Sequence, residues 1–251
     1  MSHFYDDGGN LVAEVERSDG KGMRPTTIAD ARKLHLIPSV TTIISQLGKP
    51  GLDFWKMQQL LAVVESHQSM IGTELWKTKL ADISNEENSK YSKLGTDVHN
   101  KLEKYFLTDR PLKGTEDIII NGVLGAMEIL DLNVNTYEPE LSFNHKDGFG
   151  GKVDLTSRID NVVIDFKTKS VDHPNKTHVY DDYGMQLTAY RKGLDMPTAR
   201  CFNLLISVTN PGEIFLYQHS EENLVRYEKM FYNLLNYWKL VNKFNIEVKD
   251  E

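Results

Sequence analysis

Two runs, GGKVDLTSRI (150–159) and NVVIDFKTKS (161–170), most constrain what this chain can fold into. They read as strands, and the Asp160-Asn161 pair between them reads as a tight turn, so they predict a hairpin. Residues two apart on a strand share a face. Asp165 and Lys167 therefore project together, although Val163, Ile164 and Phe166 around them mark a largely buried strand. A charged pair on a core strand is costly unless it is used. On its own, D-x-K also fits a salt bridge at a strand end.

Asp154 shifts that balance. The hairpin brings it almost opposite Asp165, within a diagonal neighbour. Two carboxylates at cross-strand distance repel unless a cation lies between them, and oxygen-rich sites suit Mg²⁺ or Mn²⁺. Lys167 adds positive charge where an attacking water must lose a proton. Gly150 and Gly151, just before Asp154, fit either a turn or a place where a nucleic-acid backbone comes close.

The rest of the chain places this hairpin in an α/β framework. Residues 1–25 predict a short hairpin or loose arm, and 27–35 a short helix. After Pro38, Ser39 or Thr41 caps a helix through Val40, Ile43, Ile44 and Leu47, ended by Gly48 and Pro50. A second helix covers Leu52 to about Ser66. Residues 82–92 read as a surface loop or helix start. Helices follow at 94–107, where Val98, Leu102, Tyr105 and Phe106 fall at helical spacing, and at 117–130. Beyond residue 133 the order is β-β-β-α-β-β-α, with Gly193 closing the helix that holds Gln186, Asn210-Pro211-Gly212 splitting the last two strands, and a final helix over 221–245. No linker marks a boundary. The expectation is one domain over 1–251, with 1–130 mostly helical and 131–251 a β-rich core with its closing helix.

Composition excludes several classes. At 251 residues and 40% hydrophobic, a packed core is feasible and disorder is not the dominant state. No run approaches ~18 apolar residues, so no transmembrane helix is expected. The N-terminus MSHFYDDGGN is acidic where a signal peptide is basic and then apolar, which points to the cytoplasm. The single cysteine, Cys201, sits in the apolar run CFNLLISV and reads as core filling; any metal must be held by oxygen and imidazole. The net charge of −7 does not favour nucleic-acid binding, though a metal reverses the sign locally at a carboxylate site.

Four elements in order resemble the RecB-type branch of the PD-(D/E)XK nucleases. They are Gly95-Thr96-Asp97-Val98-His99 (G-T-x-x-H), Gly151-Lys152-Val153-Asp154 (G-x-x-D), Asp165-Phe166-Lys167-Thr168 (D-x-K) and Gln186 with Tyr190 (Q-x-x-x-Y). Pro38-Ser39-Val40-Thr41 further resembles a segment of phage-encoded exonucleases and of the mitochondrial genome maintenance exonuclease. The likeness spans residue 38 to about 220. Many relatives have Glu where this chain has Asp165, and both are accepted.

The resemblance implies a restriction-endonuclease-like mixed sheet flanked by helices, with a helical N-terminal elaboration. It implies a Mg²⁺- or Mn²⁺-dependent DNA exonuclease in phage-type replication, recombination or repair, in the host cytoplasm if phage encoded. His99, Asp154 and Asp165 would ligate metal, with the Phe166 carbonyl completing the set and Glu140 as a possible extra ligand. Lys167 would position or activate the water, with Gln186 and Tyr190 reaching in from one helix face. Glu103, a turn beyond His99, could orient its imidazole or be solvated. Ser39, Thr41 and Thr42 at a helix start could hold a DNA phosphate, with Lys49 or Trp55 nearby, or serve as an ordinary cap. The partner is DNA with a free end, and a single-strand annealing or binding protein is a candidate second partner. A structure- or site-specific endonuclease on the same core, and a non-catalytic nucleic-acid-binding protein, are the alternatives.

Overall fold

The computed structural model describes residues 2–108, 117–170, 173, 175 and 177–244. Its centre is a five-stranded mixed sheet of β5 (Glu138–His145), β6 (Phe149–Ser157), β7 (Val162–Lys169), β8 (Arg200–Ser207) and β9 (Ile214–Gln218), in that spatial order. Only the β7–β8 pair is parallel. A parallel pair needs a crossover, and helix α6 (Asp181–Gly193) provides it.

Helices cover both faces, and the alternation along β7 shows why. Val162, Ile164 and Phe166 enter one core with Val98, Leu102 and Phe106 of α4 (Trp76–Thr108) and Val123 and Met127 of α5 (Ile118–Ile129). Val163 faces the other core, with Met185 and Leu187 of α6 and Phe231 and Trp238 of α7 (Glu221–Val241). Asp165 and Lys167 continue the Val163 stripe, so the α6 side of β7 passes from aliphatic to charged within two residues. Between β6 and β7 the chain turns over 158–161, longer than the two-residue turn expected at Asp160-Asn161, with Asn161 left-handed at φ 53°. The helix expected to run to 245 ends at Val241, and residue 245 lies outside the described residues.

The N-terminal part is also built of short elements. Phe4 and Tyr5 (β1) pair with Ile37 and Pro38 (β4), and both aromatics are buried, so this arm is anchored rather than loose. Glu14–Glu16 (β2) and Met23–Pro25 (β3) form the expected hairpin. Helix α1 (Ile28–Lys33) carries a capping box between Thr27 and Asp30. Helix α2 is shorter than expected, Val40–Ile44, with Ser39 as its cap.

One expectation needs correction. Residues 82–92 are neither loop nor helix start; they lie inside the 33-residue α4. Their polarity fits because Ser84 is the only buried side chain among those described in this stretch, so no apolar stripe is required. Helix α3 (Pro50–Ser66) forms, but of its apolar residues only Val63 is buried while Leu52, Phe54, Met57, Leu60 and Leu61 are exposed. Cys201 is fully buried, and burial pushes its thiol up to about 12, as a core-filling cysteine should behave. Among the described residues no helix is long and apolar enough to cross a membrane.

Candidate active site

The β6–β7 ladder pairs Ser157 with Val162, Thr156 with Val163 and Leu155 with Ile164. One step further, Asp154 falls opposite Asp165. There the backbone ladder stops, and the Phe166 N–H donates at 2.7 Å to Asp154 Oδ2 instead. The other neighbour of Asp154 is interrupted as well. Between Pro139, which faces Leu155, and Leu141, which faces Val153, Glu140 is left-handed at φ 55°. A non-glycine residue in that region stores backbone strain, which tends to collect at functional sites. Asp154 thus sits where both flanking strands open.

Asp165 is 1% exposed. Lys167 Nζ lies 2.5 Å from its Oδ2, so the shared face expected from strand period is realised. Burial raises the Asp165 carboxyl strongly; Lys167 opposes this and Asp154 adds to it. Lys167 Nζ also donates to Gln186 Oε1 at 3.1 Å, and Gln186 Nε2 donates to the Tyr190 hydroxyl at 2.7 Å. Gln186 and Tyr190 are one turn apart on α6, so a single helix face aims the ammonium at the carboxylate.

Two further residues escape sequence reasoning. The parallel register sets Asn203 beside Asp165, and Asn203 Nδ2 donates to Asp165 Oδ2 at 2.8 Å. The Asn203 Oδ1 atom must then accept, and His219 Nε2 donates to it at 2.7 Å. Both residues are buried, and burial lowers the His219 imidazole to about 4. A polar residue at 203 within an apolar strand run is the only signal for this chain of bonds.

On the opposite side of the sheet, α4 delivers His99. Its Nδ1 lies 3.6 Å from Asp154 Oδ1, and its ring meets Phe166 edge-on at 6.0 Å. Burial lowers the His99 pKa, but the hydrogen bond and charge of Asp154 outweigh it and the net shift is upward. Gly95, one turn earlier, explains the helix placement. A Cβ there would come within 2.7 Å of Thr168 Oγ1, so glycine lets α4 approach β7 closely enough for His99 to reach Asp154.

Other expected residues are arranged differently. Glu140 forms an ion pair with Lys152, and burial raises its pKa, with smaller opposing contributions from Lys152 and supporting ones from Asp154 and Glu103. Gly150 and Gly151 make room for the protein itself. An added Cβ would meet the Phe143 carbonyl and Tyr5 at residue 150, and the Phe143 and Tyr190 rings at 151. The reading of these glycines as an approach for a nucleic-acid backbone is thereby corrected. Ser39 and Thr42 are buried; Ser39 caps α2 and bonds Thr42 Oγ1, which also accepts from His3 N. Ser39 bridges to Gly150, about 13 Å along β6 from Asp154 at the usual strand rise. Thr41 is exposed, 3.0 Å from Ser39 Oγ. Of the remaining candidates, Lys49 is tied to Asp182 at the start of α6, at 3.1 Å, and Trp55 is half-buried on α3.

The donors suit a hard divalent ion by type: two carboxylates and an imidazole around one strand opening. Their present orientation is less complete. Among the described residues no three His, Cys, Asp or Glu groups converge into a ready ion site. His99 and Asp154 meet, while Asp165 faces Lys167 and Glu140 faces Lys152. Lys167 supplies the positive charge that the buried carboxylate requires here.

No protein-family model matches the chain, and no curated protein matches it. Among solved structures, the protein SSO0001 is 25% identical, with a TM-score of 0.26, over 46% of this chain and 58% of its own. This chain therefore matches little more than half of that protein's length. A phage related exonuclease from Haemophilus somnus 129PT is 13% identical, with a TM-score of 0.30, over 59% of this chain and 83% of its own.

Proposed function

We propose that this chain is a metal-dependent deoxyribonuclease of the PD-(D/E)XK kind that digests DNA from an end. The observation that carries the reading is the buried Asp165–Lys167 pair, 2.5 Å apart, with Asp154 across the hairpin at the point where its strands separate. A structural ion pair has no need of a second carboxylate beside it, nor of an imidazole at 3.6 Å from that carboxylate. In this reading the whole of 1–251 is one nuclease domain with a restriction-endonuclease-like core.

His99, Asp154, Asp165 and the Phe166 carbonyl would hold Mg²⁺ or Mn²⁺. When bound, such an ion neutralises the scissile phosphate and makes its water more acidic. The chain supplies the rest. Gln186, itself held by Tyr190, fixes Lys167, whose ammonium offsets charge gathering on the phosphate oxygens. Asn203 fixes the buried carboxylate through its side-chain amide. The test is release of acid-soluble nucleotide from linear DNA with Mg²⁺, with Mn²⁺ and with EDTA. Release should need the ion and vanish in Asp165→Ala; release in EDTA, or an active Asp165→Ala enzyme, overturns the proposal.

A further inference from the structure

The alternation that joins Asp165 to Lys167 extends one step further, to Lys169. Its Nζ lies 2.5 Å from the Tyr183 hydroxyl and 4.8 Å from the ring centres of both Tyr180 and Tyr183. Lys167 Nζ stands 5.1 Å from the Tyr183 ring, so Tyr183 bridges the two ammonium groups. The two tyrosine rings meet edge-on at 5.6 Å. Among the described residues Lys169 has no carboxylate within ion-pair distance. On α6, Asp182 pairs with Lys49 and acts on Lys169 only through space, and Asp181 pairs with Arg226. Tyr180, by contrast, is 43% exposed. A cation–π contact that served packing alone would require neither a cation with no directly paired carboxylate nor an exposed ring above it.

We infer that Lys169, Tyr180 and Tyr183 form a nucleotide subsite beside the Asp165–Lys167 centre, holding the neighbouring phosphate on Lys169 and its unpaired base on Tyr180. This rests on the nuclease reading and deepens it by naming the substrate: a strand that is single at the site. Lys167 and Lys169 are about 6.6 Å apart along the strand, near the separation of successive phosphates on an extended nucleic-acid strand. A base stacks on a ring only with its face free, so paired DNA must open before it engages Tyr180.

The test is fluorescence anisotropy in EDTA, with a labelled single-stranded oligodeoxythymidylate and a blunt duplex of equal length. Tyr180→Ala should weaken single-strand binding by about tenfold or more, leaving duplex binding unchanged. Tyr180→Phe should keep near-wild-type affinity, since the ring is retained. Lys169→Ala should weaken binding and reduce the salt slope by about 0.7, the loss of one phosphate contact, and Lys169→Arg should restore both. Thermal melts confirm that each variant folds. Single-strand affinity unchanged in both alanine variants, or no single-strand binding by the wild type, overturns the subsite. The two readings separate cleanly. Tyr180-dependent binding without ion-dependent cleavage sinks the nuclease and spares the subsite; cleavage with Tyr180-independent binding does the reverse.

Discussion

Replacing Asn203 with alanine tests whether the chain of bonds behind Asp165 is as tight as its geometry implies. Asn203 is fully buried and bonds a buried carboxylate at 2.8 Å and a buried imidazole at 2.7 Å. Losing a hydrogen bond to a charged group costs about 1.5–3 kcal/mol, and leaving the His219 N–H unpaired costs about 1–3 kcal/mol more. The variant should therefore lose on the order of 3–5 kcal/mol of folding stability. Guanidinium denaturation in EDTA at pH 7.5 measures this without any contribution from metal. The double variant Asn203→Ala/His219→Leu removes both ends of the second bond and leaves no orphaned donor. Its cost should fall short of the sum of the two single variants, by about 1–3 kcal/mol of coupling. A loss under about 1 kcal/mol for Asn203→Ala, or strict additivity in the double variant, would refute this account of how Asp165 is held.

Other outcomes follow from the same structure. Asp154→Ala should abolish ion-dependent cleavage while keeping the fold, as read by circular dichroism and nucleotide release; substantial residual cleavage would show the site is misassigned. Lys167→Ala should lose turnover yet still bind Mn²⁺ in a calorimetric titration, because an ammonium is no ligand. His219 carries a pH signature: its folded pKa of about 4 lies below the unfolded value near 6.5, so protonation favours the unfolded chain. Its contribution is fully present above pH 6.5 and is lost as pH falls towards 4, by up to about 3 kcal/mol. His219→Gln should flatten that part of the acid limb relative to wild type. Gly184→Ala should destabilise by about 1–3 kcal/mol, since its Cβ would come within 2.2 Å of the Tyr227 ring. Gly125→Ala, on α5 with nothing within 4 Å, should stabilise by about 0.5–1 kcal/mol; equal melting shifts in the two glycine variants would contradict the packing described.

What the sequence reveals, and what it hides, follows from how local each determinant is. The hairpin, the place of its turn though not its length, and the shared face of Asp165 and Lys167 depend on neighbours a few residues apart, and are legible. The same rule puts Lys169 on that face, but only the folded contacts with Tyr180 and Tyr183 mark it. Asn203 and His219 are not legible as partners of Asp165. The β7–β8 pairing that sets Asn203 beside Asp165 is parallel and made across a helix, so no turn fixes its register, and His219 reaches Asn203 only from the end of β9. The first half of α4 is hidden for another reason: most of its described polar residues are exposed, and a loop has the same composition. Gly150 and Gly151 show the opposite error. A small residue beside a candidate site suggests room for a ligand, yet here Tyr5, Phe143 and Tyr190 fill that room.

The most direct test of the central claim uses one DNA sequence in two forms, end-labelled linear and covalently closed circular, incubated with the protein and Mg²⁺. The account predicts progressive release of nucleotides from the linear form, none in EDTA, and an intact circle. Cleavage of the circle would contradict digestion from an end, and an intact linear substrate in both Mg²⁺ and Mn²⁺ would contradict the nuclease itself.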